Sequence, residues 1–418
     1  MDTEAMGFAV VHQRCCALDV HSKSLTACAL TPEGEVSRRF GTMLEDLEEL
    51  ASWLEECQIR VVAMESTGVY WVPVYNVLEE GRGRDELLVV NAAHVKALRG
   101  RKTDLKDAQW LARLLRYGQL RGSRIPNREQ RELRELVRHR TTLVGQRAQL
   151  LNRVHKLLEG ANIKLGSVAS DIAGVSGMEM LEQLASGDQD PARLAGLARG
   201  RMRSKQEQLT KALTGKVRQH HRFMLASMLR QIEFLSEEIA AMDGEVEERM
   251  RPFQAALDAL DKVPGIGQRG AQCIIAELGV DMSPWSSHQH LASWAKLCPG
   301  NNQSGGKRRR APTGRGNRWL RQAVIEAARA AVRAKDSYLG AQYRRLKGRG
   351  PGDDGRAIVA VAHTILIIVY HLLKDGSIYQ DLGKDYFRQR DREHTVRRAL
   401  HSLQSLGFKV TLEEGAVA

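Results

Sequence analysis

Cysteine, aromatic side chains and long apolar runs are all in short supply in this 418-residue chain. Each shortage closes off a class of protein. The six cysteines, Cys15, Cys16, Cys28, Cys57, Cys273 and Cys298, form no C-x-x-C pair and stand at no zinc-finger spacing from a histidine. They read as reduced, mostly buried thiols of a cytosolic protein rather than a disulfide scaffold or metal site. Aromatics are 5% of residues, too few for a surface that works mainly by base stacking. Met1 to Gln13 is too short and too weakly apolar for a signal peptide. The longest apolar stretch, Ala357 to Leu373, contains His363, Thr364 and His371 and falls short of the roughly 20 residues that cross a bilayer. It reads as a buried helix, and no membrane partner is expected.

What is abundant is positive charge. Lys and Arg number 63 against 50 Asp and Glu, a net charge of +13, with a pI near 9.6. Such a balance calls for a polyanionic partner, here nucleic acid. The charge is also localised: Lys307 to Arg349 holds fourteen Lys and Arg against Glu326 and Asp336 alone. Hydrophobic residues at 43% and charged residues at 27% fit a folded chain, and its length allows two to three domains.

Residues 1–126 alternate in element type. Cys15 to Val20, Leu25 to Leu30 and Glu35 to Gly41 read as a three-strand meander with a turn at Thr31-Pro32-Glu33-Gly34. Leucines at 44, 47, 50 and 54 then take helical spacing, and Arg60 to Met64, Val72 to Leu78, Leu87 to Asn91 and Asp104 to Tyr117 follow as strand, helix, strand and helix. The order βββαβαβα defines a mixed α/β domain. Residues 127–253 are helical. Doublets recur every seven residues at Leu136-Val137, Leu143-Val144, Leu150-Leu151 and Leu157-Leu158, and a second seam runs from Leu225 to Val246 in steps of three and four. These are coiled-coil-like, pairing either within the chain or between subunits. Residues 254–418 are helical and Gly-punctuated, and the tail from Asp385 to Ala418 carries no interpretable motif.

Four acids could carry chemistry. Asp19 follows the first strand and Glu65 ends the fourth. If those strands lie side by side, their ends converge. Asp104 and Asp107 open a helix about 60° apart on one face. Four converging carboxylates need a cation, and all-oxygen ligation suits Mg²⁺ or Mn²⁺, which could serve phosphodiester cleavage. Taken singly, Asp104 also reads as a helix cap and Asp19 as a turn residue. A sugar-kinase or actin-like ATPase would share this sheet but needs a Gly-rich turn, which Asp19-Val20-His21-Ser22-Lys23-Ser24 lacks.

Further along, Val263-Pro264-Gly265-Ile266-Gly267 joins two helical segments. Gly265 and Gly267 would let backbone N–H groups approach a phosphate, or simply form a turn. The segment Pro299 to Arg310 places Ser304 in a Gly loop before Lys307, Arg308, Arg309 and Arg310, with Arg315 and Arg318 beyond. The cations offer a phosphate-contacting surface. Ser304 is either a turn residue or a nucleophile whose transition state those cations stabilise.

In order along the chain, Asp19-Val20-His21-Ser22-Lys23, Met64-Glu65-Ser66-Thr67-Gly68-Val69-Tyr70-Trp71, Lys102-Thr103-Asp104-Leu105-Lys106-Asp107-Ala108, the Val263 to Gly267 hairpin and Ser304-Gly305-Gly306-Lys307 resemble the insertion-sequence one-hundred-and-ten family of transposases over residues 14 to 410. The resemblance implies a RuvC-like (RNase H-like) DEDD domain, a coiled-coil middle and a helical transposase domain with a helix-hairpin-helix. It implies Mg²⁺ held by Asp19, Glu65, Asp104 and Asp107, and Ser304 as the nucleophile of a phosphoserine link to DNA. Donor and target DNA, a bridge RNA guide, a homodimer or homotetramer with composite sites, and a bacterial cytoplasmic, nucleoid-associated setting are implied as partners and place. Two other classes use the same residues differently: a RuvC-like nuclease with water as nucleophile, and a non-catalytic nucleic-acid-binding protein.

Overall fold

The computed structural model describes residues 9–66, 68–81, 85–91, 104–300, 303–308, 313–314, 316–348 and 353–411, with backbone only at 104–105, 303–304, 308, 353 and 393–395. The chain forms two compact units, Met1–Pro126 and Asn127–Ala418.

In the first unit the short apolar runs become β1 (Cys15–Val20), β2 (Leu25–Thr31) and β3 (Gly34–Phe40), an antiparallel meander. Then come α1 (Leu44–Glu56), β4 (Val61–Glu65), α2 (Trp71–Glu80), β5 (Glu86–Val90), α3 (Asp104–Arg116) and β6 (Gly122–Ser123). The sheet runs β3-β2-β1-β4-β5-β6, with β4 parallel to both β1 and β5. The expected side-by-side placement of the first and fourth strands is present. Cys15 to Leu18 stand in register with Val61 to Met64. The strand β6 escapes the sequence pattern, because two residues are too few to show a period.

Alternation along the strands sorts the side chains into two layers. Cys16, Leu18, Val20, Val62 and Met64 pack with Leu50 and Leu54 of α1 and Val74 and Leu78 of α2. Cys15, Ala17, Cys28, Val61 and Ala63 pack with Ala108, Leu111, Ala112 and Leu115 of α3. The result is a sheet covered by helices on both faces, with α3 over the second.

The second unit is built on two long helices, α4 (Arg128–Gly160) and α9 (Gln219–Met250). Between them in sequence lie α5 (Leu165–Val168), α6 (Val175–Ser186), α7 (Pro191–Gly196) and α8 (Gln206–Leu213). The two apolar seams meet each other within the chain. Arg249 bonds Glu132, Arg140 pairs with Asp243, and Arg147 donates to Ser236 at 2.8 Å. The partner number falls as the residue number rises, so the pair is antiparallel. At one end Leu150, Val154, Leu158, Leu225, Met228 and Ile232 share a core with the short helices. At the other, Leu133, Val137, Val246 and Met250 enter the core of the helices that follow.

Those helices are α10 (Gln254–Asp261), α11 (Gln268–Leu278), α12 (His288–Trp294), α13 (Arg318–Ala331), α14 (Tyr338–Lys347), α15 (Asp353–Asp375) and α16 (Tyr386–Ser405), with a two-stranded ribbon, β7 (Gln303–Ser304) and β8 (Lys307–Arg308), between α12 and α13. The apolar stretch at 357–373 lies in α15, which at 23 residues is longer than the run itself. By length and composition α15 could span a bilayer. Instead Val361, Ile365, Leu366, Val369 and Tyr370 are fully buried against α11 to α13 residues such as Ile274, Leu291 and Val324. A core helix is what the interrupted pattern predicts.

Candidate active site

Parallel pairing of β1 and β4 sets the acid site. Leu18 lies opposite Met64, so Asp19 and Glu65 occupy the next position of the same register, at the C-terminal ends of adjacent strands. Alternation gives both the face of Ala17 and Ala63, the face that α3 covers. The Asp19 side chain is 12% exposed and Glu65 is half-buried.

The helix α3 runs antiparallel to β1. Cys15 Sγ donates toward the Ala112 carbonyl at 3.9 Å, and the Val11 N–H donates to the Arg116 carbonyl at 2.9 Å. Eight residues of helix lead from Ala112 back to Asp104, and four of strand lead from Cys15 on to Asp19. At about 1.5 Å and 3.3 Å per residue these are both roughly 12–13 Å. The first turn of α3, with Asp104 and the exposed Asp107, therefore comes level with Asp19. Among the described residues no group of three or more His, Cys, Asp and Glu side chains stands together, and the Asp104 side chain is outside them. The donors are all carboxylate oxygens, the chemistry that a hard divalent cation requires. His21 adds a neighbour that the sequence pattern leaves without a role: its Nε2 lies 3.2 Å from Asp19 Oδ2.

The expected Gly loop at Ser304 is a structured hairpin. Ser304 pairs with Lys307, and Gln303 with Arg308. The two residues between, Gly305 and Gly306, have φ of +56° and +73°. Positive φ at both central positions is the mark of the tight two-residue turn that matches strand twist, and only glycine takes it without strain. Ser304 thus stands at the turn, with the exposed Lys307 across from it.

The segment around the hairpin is fastened at its base. Pro299 bridges Thr313, and Arg321 donates to the Lys296 carbonyl and to Thr313 Oγ1, both at 3.0 Å. Asn317 caps α13, its Oδ1 accepting from Trp319 and Leu320 N–H, and its Nδ2 donates to Glu277. Glu277 is fully buried. Arg138 Nε and Nη2 donate to its two carboxylate oxygens at 2.7 and 2.8 Å, while Arg134 pairs with Oε2 at 3.3 Å and donates to the Glu277 carbonyl at 2.7 Å. One carboxylate therefore ties α4, α11 and the end of the hairpin segment together. Its signal in the sequence is an acid inside the otherwise apolar run Cys273-Ile274-Ile275-Ala276-Glu277-Leu278.

Of the other nucleic-acid candidates, Arg318 is exposed, its guanidinium 4.5 Å over the Trp319 ring. Arg309, Arg310 and Arg315 lie outside the described residues. Gly265 has φ +89°, and a Cβ there would meet the Ala327 carbonyl oxygen at 2.1 Å; its close approach is to the chain's own α13. Gly267 is exposed at the start of α11, where an added Cβ would meet nothing within 4 Å.

Comparison with known proteins gives the class of enzyme, a transposase. Residues 16–163 match a transposase family model of the DEDD type, and residues 257–344 match one described as transposase IS116/IS110/IS902 family. A probable family 20 transposase from Pseudomonas aeruginosa is 26% identical over 326 residues, covering 77% of this chain and 86% of that protein. The transposase for insertion sequence element IS1111A from Coxiella burnetii is 25% identical over 304 residues, covering 70% and 72%. The chain belongs to the IS110 family of transposases.

Proposed function

We propose that this transposase cuts and rejoins DNA through a phosphoserine intermediate. Asp19, Glu65, Asp104 and Asp107 would hold Mg²⁺, or Mn²⁺, in an RNase H-like domain. The observation that carries the reading is the placement of Asp19 and Glu65 at one register position on the face under α3. Bound there, the cation would supply charge neutralisation at a scissile phosphate.

In the first step Ser304 Oγ bonds to phosphorus, the P–O bond to the 3′ oxygen breaks, and the serine proton is given up as the leaving oxygen gains one. In the second, a 3′ hydroxyl from another strand bonds to phosphorus and releases serine. The number of phosphodiester bonds is conserved, so no ATP is consumed. The hairpin supports this role by presenting Ser304 opposite Lys307, whose ammonium suits an anionic transition state. The serine and the acids, which belong to different units, serve the same reaction in a dimer or tetramer. Gly267, at an open helix start, and the cations Lys307 to Arg310, Arg315 and Arg318 hold backbone phosphates. Backbone contacts carry no sequence information, so target choice falls to a bridge RNA.

Rearrangement of the element's own DNA ends, followed against Mg²⁺ concentration in protein purified together with the RNA transcribed from its flanking DNA, tests the reading. Asp19→Asn and Glu65→Gln are expected to lower the rate by about 10²-fold or more with no change in melting temperature. Full activity in both variants would remove the acids from the reaction.

A further inference from the structure

The tail beyond residue 384 carries no sequence motif, yet it builds one wall of a cavity of about 820 Å³ against α14. Five cations line it: Arg344 and Arg345 from α14, Lys384 before α16, and Arg388 and Arg392 within α16. Asp385 and Asp391 are the acids among the lining residues. The floor is apolar, made by Ala341 and the buried Phe387.

The groove is built rather than incidental. Phe387 stacks on Tyr338 with ring centroids 5.1 Å apart, and Tyr386 meets Tyr338 edge-on at 5.2 Å. Arg345 bonds Asp391 at 3.0 Å, and Lys384 bonds Asp336 at 2.9 Å. These contacts fix the start of α16 on α14 and leave Arg344, Arg388 and Arg392 exposed around the opening. Arg388 and Arg392 are one turn apart, on the same face of α16.

We propose that this groove is a second DNA-binding surface that seats the phosphate backbone of duplex DNA, with its α16 wall beyond the regions matched by the two family models. Charge complementarity gives the chemistry: an open groove with cationic walls fits a line of phosphates. The shape of α16 selects DNA over RNA. Among its described side chains Arg388, Arg390, Arg392, Arg397 and Arg398 are exposed, and a helix about 10–12 Å across fits the major groove of B-form DNA, about 12 Å wide. The deep, narrow major groove of A-form RNA does not admit it. The proposal rests on the transposase reading only in taking DNA as the substrate.

Binding of the full-length protein to a fluorescent duplex DNA of arbitrary sequence, measured against salt, is the test. Arg388→Gln/Arg392→Gln is expected to reduce the slope of log K against log salt by about 1.8, and Arg344→Gln, from the opposite wall, by about 0.9. Melting temperatures should be unchanged. Arg201→Gln/Arg203→Gln, which removes two exposed cations elsewhere in the second unit, should leave the slope as in wild type. An unchanged slope in the groove variants, with wild type still binding DNA, overturns this proposal and leaves the transposase reading standing. An equal or larger change with duplex RNA makes the groove an RNA surface and overturns the DNA assignment. A wild-type protein with no affinity for DNA overturns both.

Discussion

Glu277 shows how much one side chain can hold. A carboxylate with no exposed surface is stable in the fold only because two guanidinium groups and an amide satisfy it. Glu277→Ala strands Arg134 and Arg138, and is expected to lower the unfolding free energy by about 3–5 kcal/mol, read by urea denaturation. A loss below about 1 kcal/mol would mean that water replaces the carboxylate without penalty. The buried thiols behave in the opposite sense to a reactive cysteine. Burial pushes Cys15 up to about 12 and Cys28 up to about 11, so neither thiol is a thiolate near neutral pH. Because these folded-state values lie above the ordinary value of 9.0, their contribution to stability is complete below pH 9 and is lost as pH rises through 11 to 12. Unfolding by urea at about pH 8 and about pH 10.5 should show the first unit weakened at the higher pH, and iodoacetamide should leave Cys15 and Cys28 unmodified in the native protein at the lower one.

At the scale of elements, glycine chemistry separates two residues that look alike in sequence. Gly265→Ala would place a methyl 2.1 Å from the Ala327 carbonyl at a positive φ, and is expected to cost about 2–4 kcal/mol. Gly267→Ala points into open space and should cost less than about 1 kcal/mol; if it is a phosphate contact, DNA affinity rather than stability will respond. Thermal melts of the two variants make the comparison, and equal losses would contradict the packing difference. The strands around the acids are legible in the sequence as short apolar runs bounded by turn formers, and the helices by apolar residues three and four apart; the ends of those runs put Asp19 and Glu65 at strand ends. The hairpin at Ser304 is only half legible: the pair Gly305-Gly306 is the signal of a two-residue turn, but two-residue strands are too short to show an apolar pattern. The groove on α14 is hidden for another reason. Its walls are more than 40 residues apart in sequence, as the 46-residue separation of Arg345 and Asp391 shows, and they meet through that pair and the stack of Tyr338 on Phe387.

For the whole molecule, the division into two units separates the candidate chemistry. The acids belong to Met1–Pro126 and the serine to Asn127–Ala418. The second unit is itself two apolar cores joined by the antiparallel pair α4 and α9, whose middle is held by polar contacts such as Arg140 with Asp243 and Arg147 with Ser236. The proposed two-step exchange of phosphodiesters needs a covalent store between the steps, and the proposal gives that part to Ser304. The most direct measurement is a denaturing gel of the protein expressed together with its own flanking DNA, the source of the proposed bridge RNA, and incubated with Mg²⁺, comparing wild type with Ser304→Ala. The expected result is a nuclease-sensitive protein–DNA adduct in wild type and none in the variant. DNA cleavage that persists in Ser304→Ala, still dependent on Asp104 and with no adduct in either protein, would contradict the serine mechanism and make water the nucleophile.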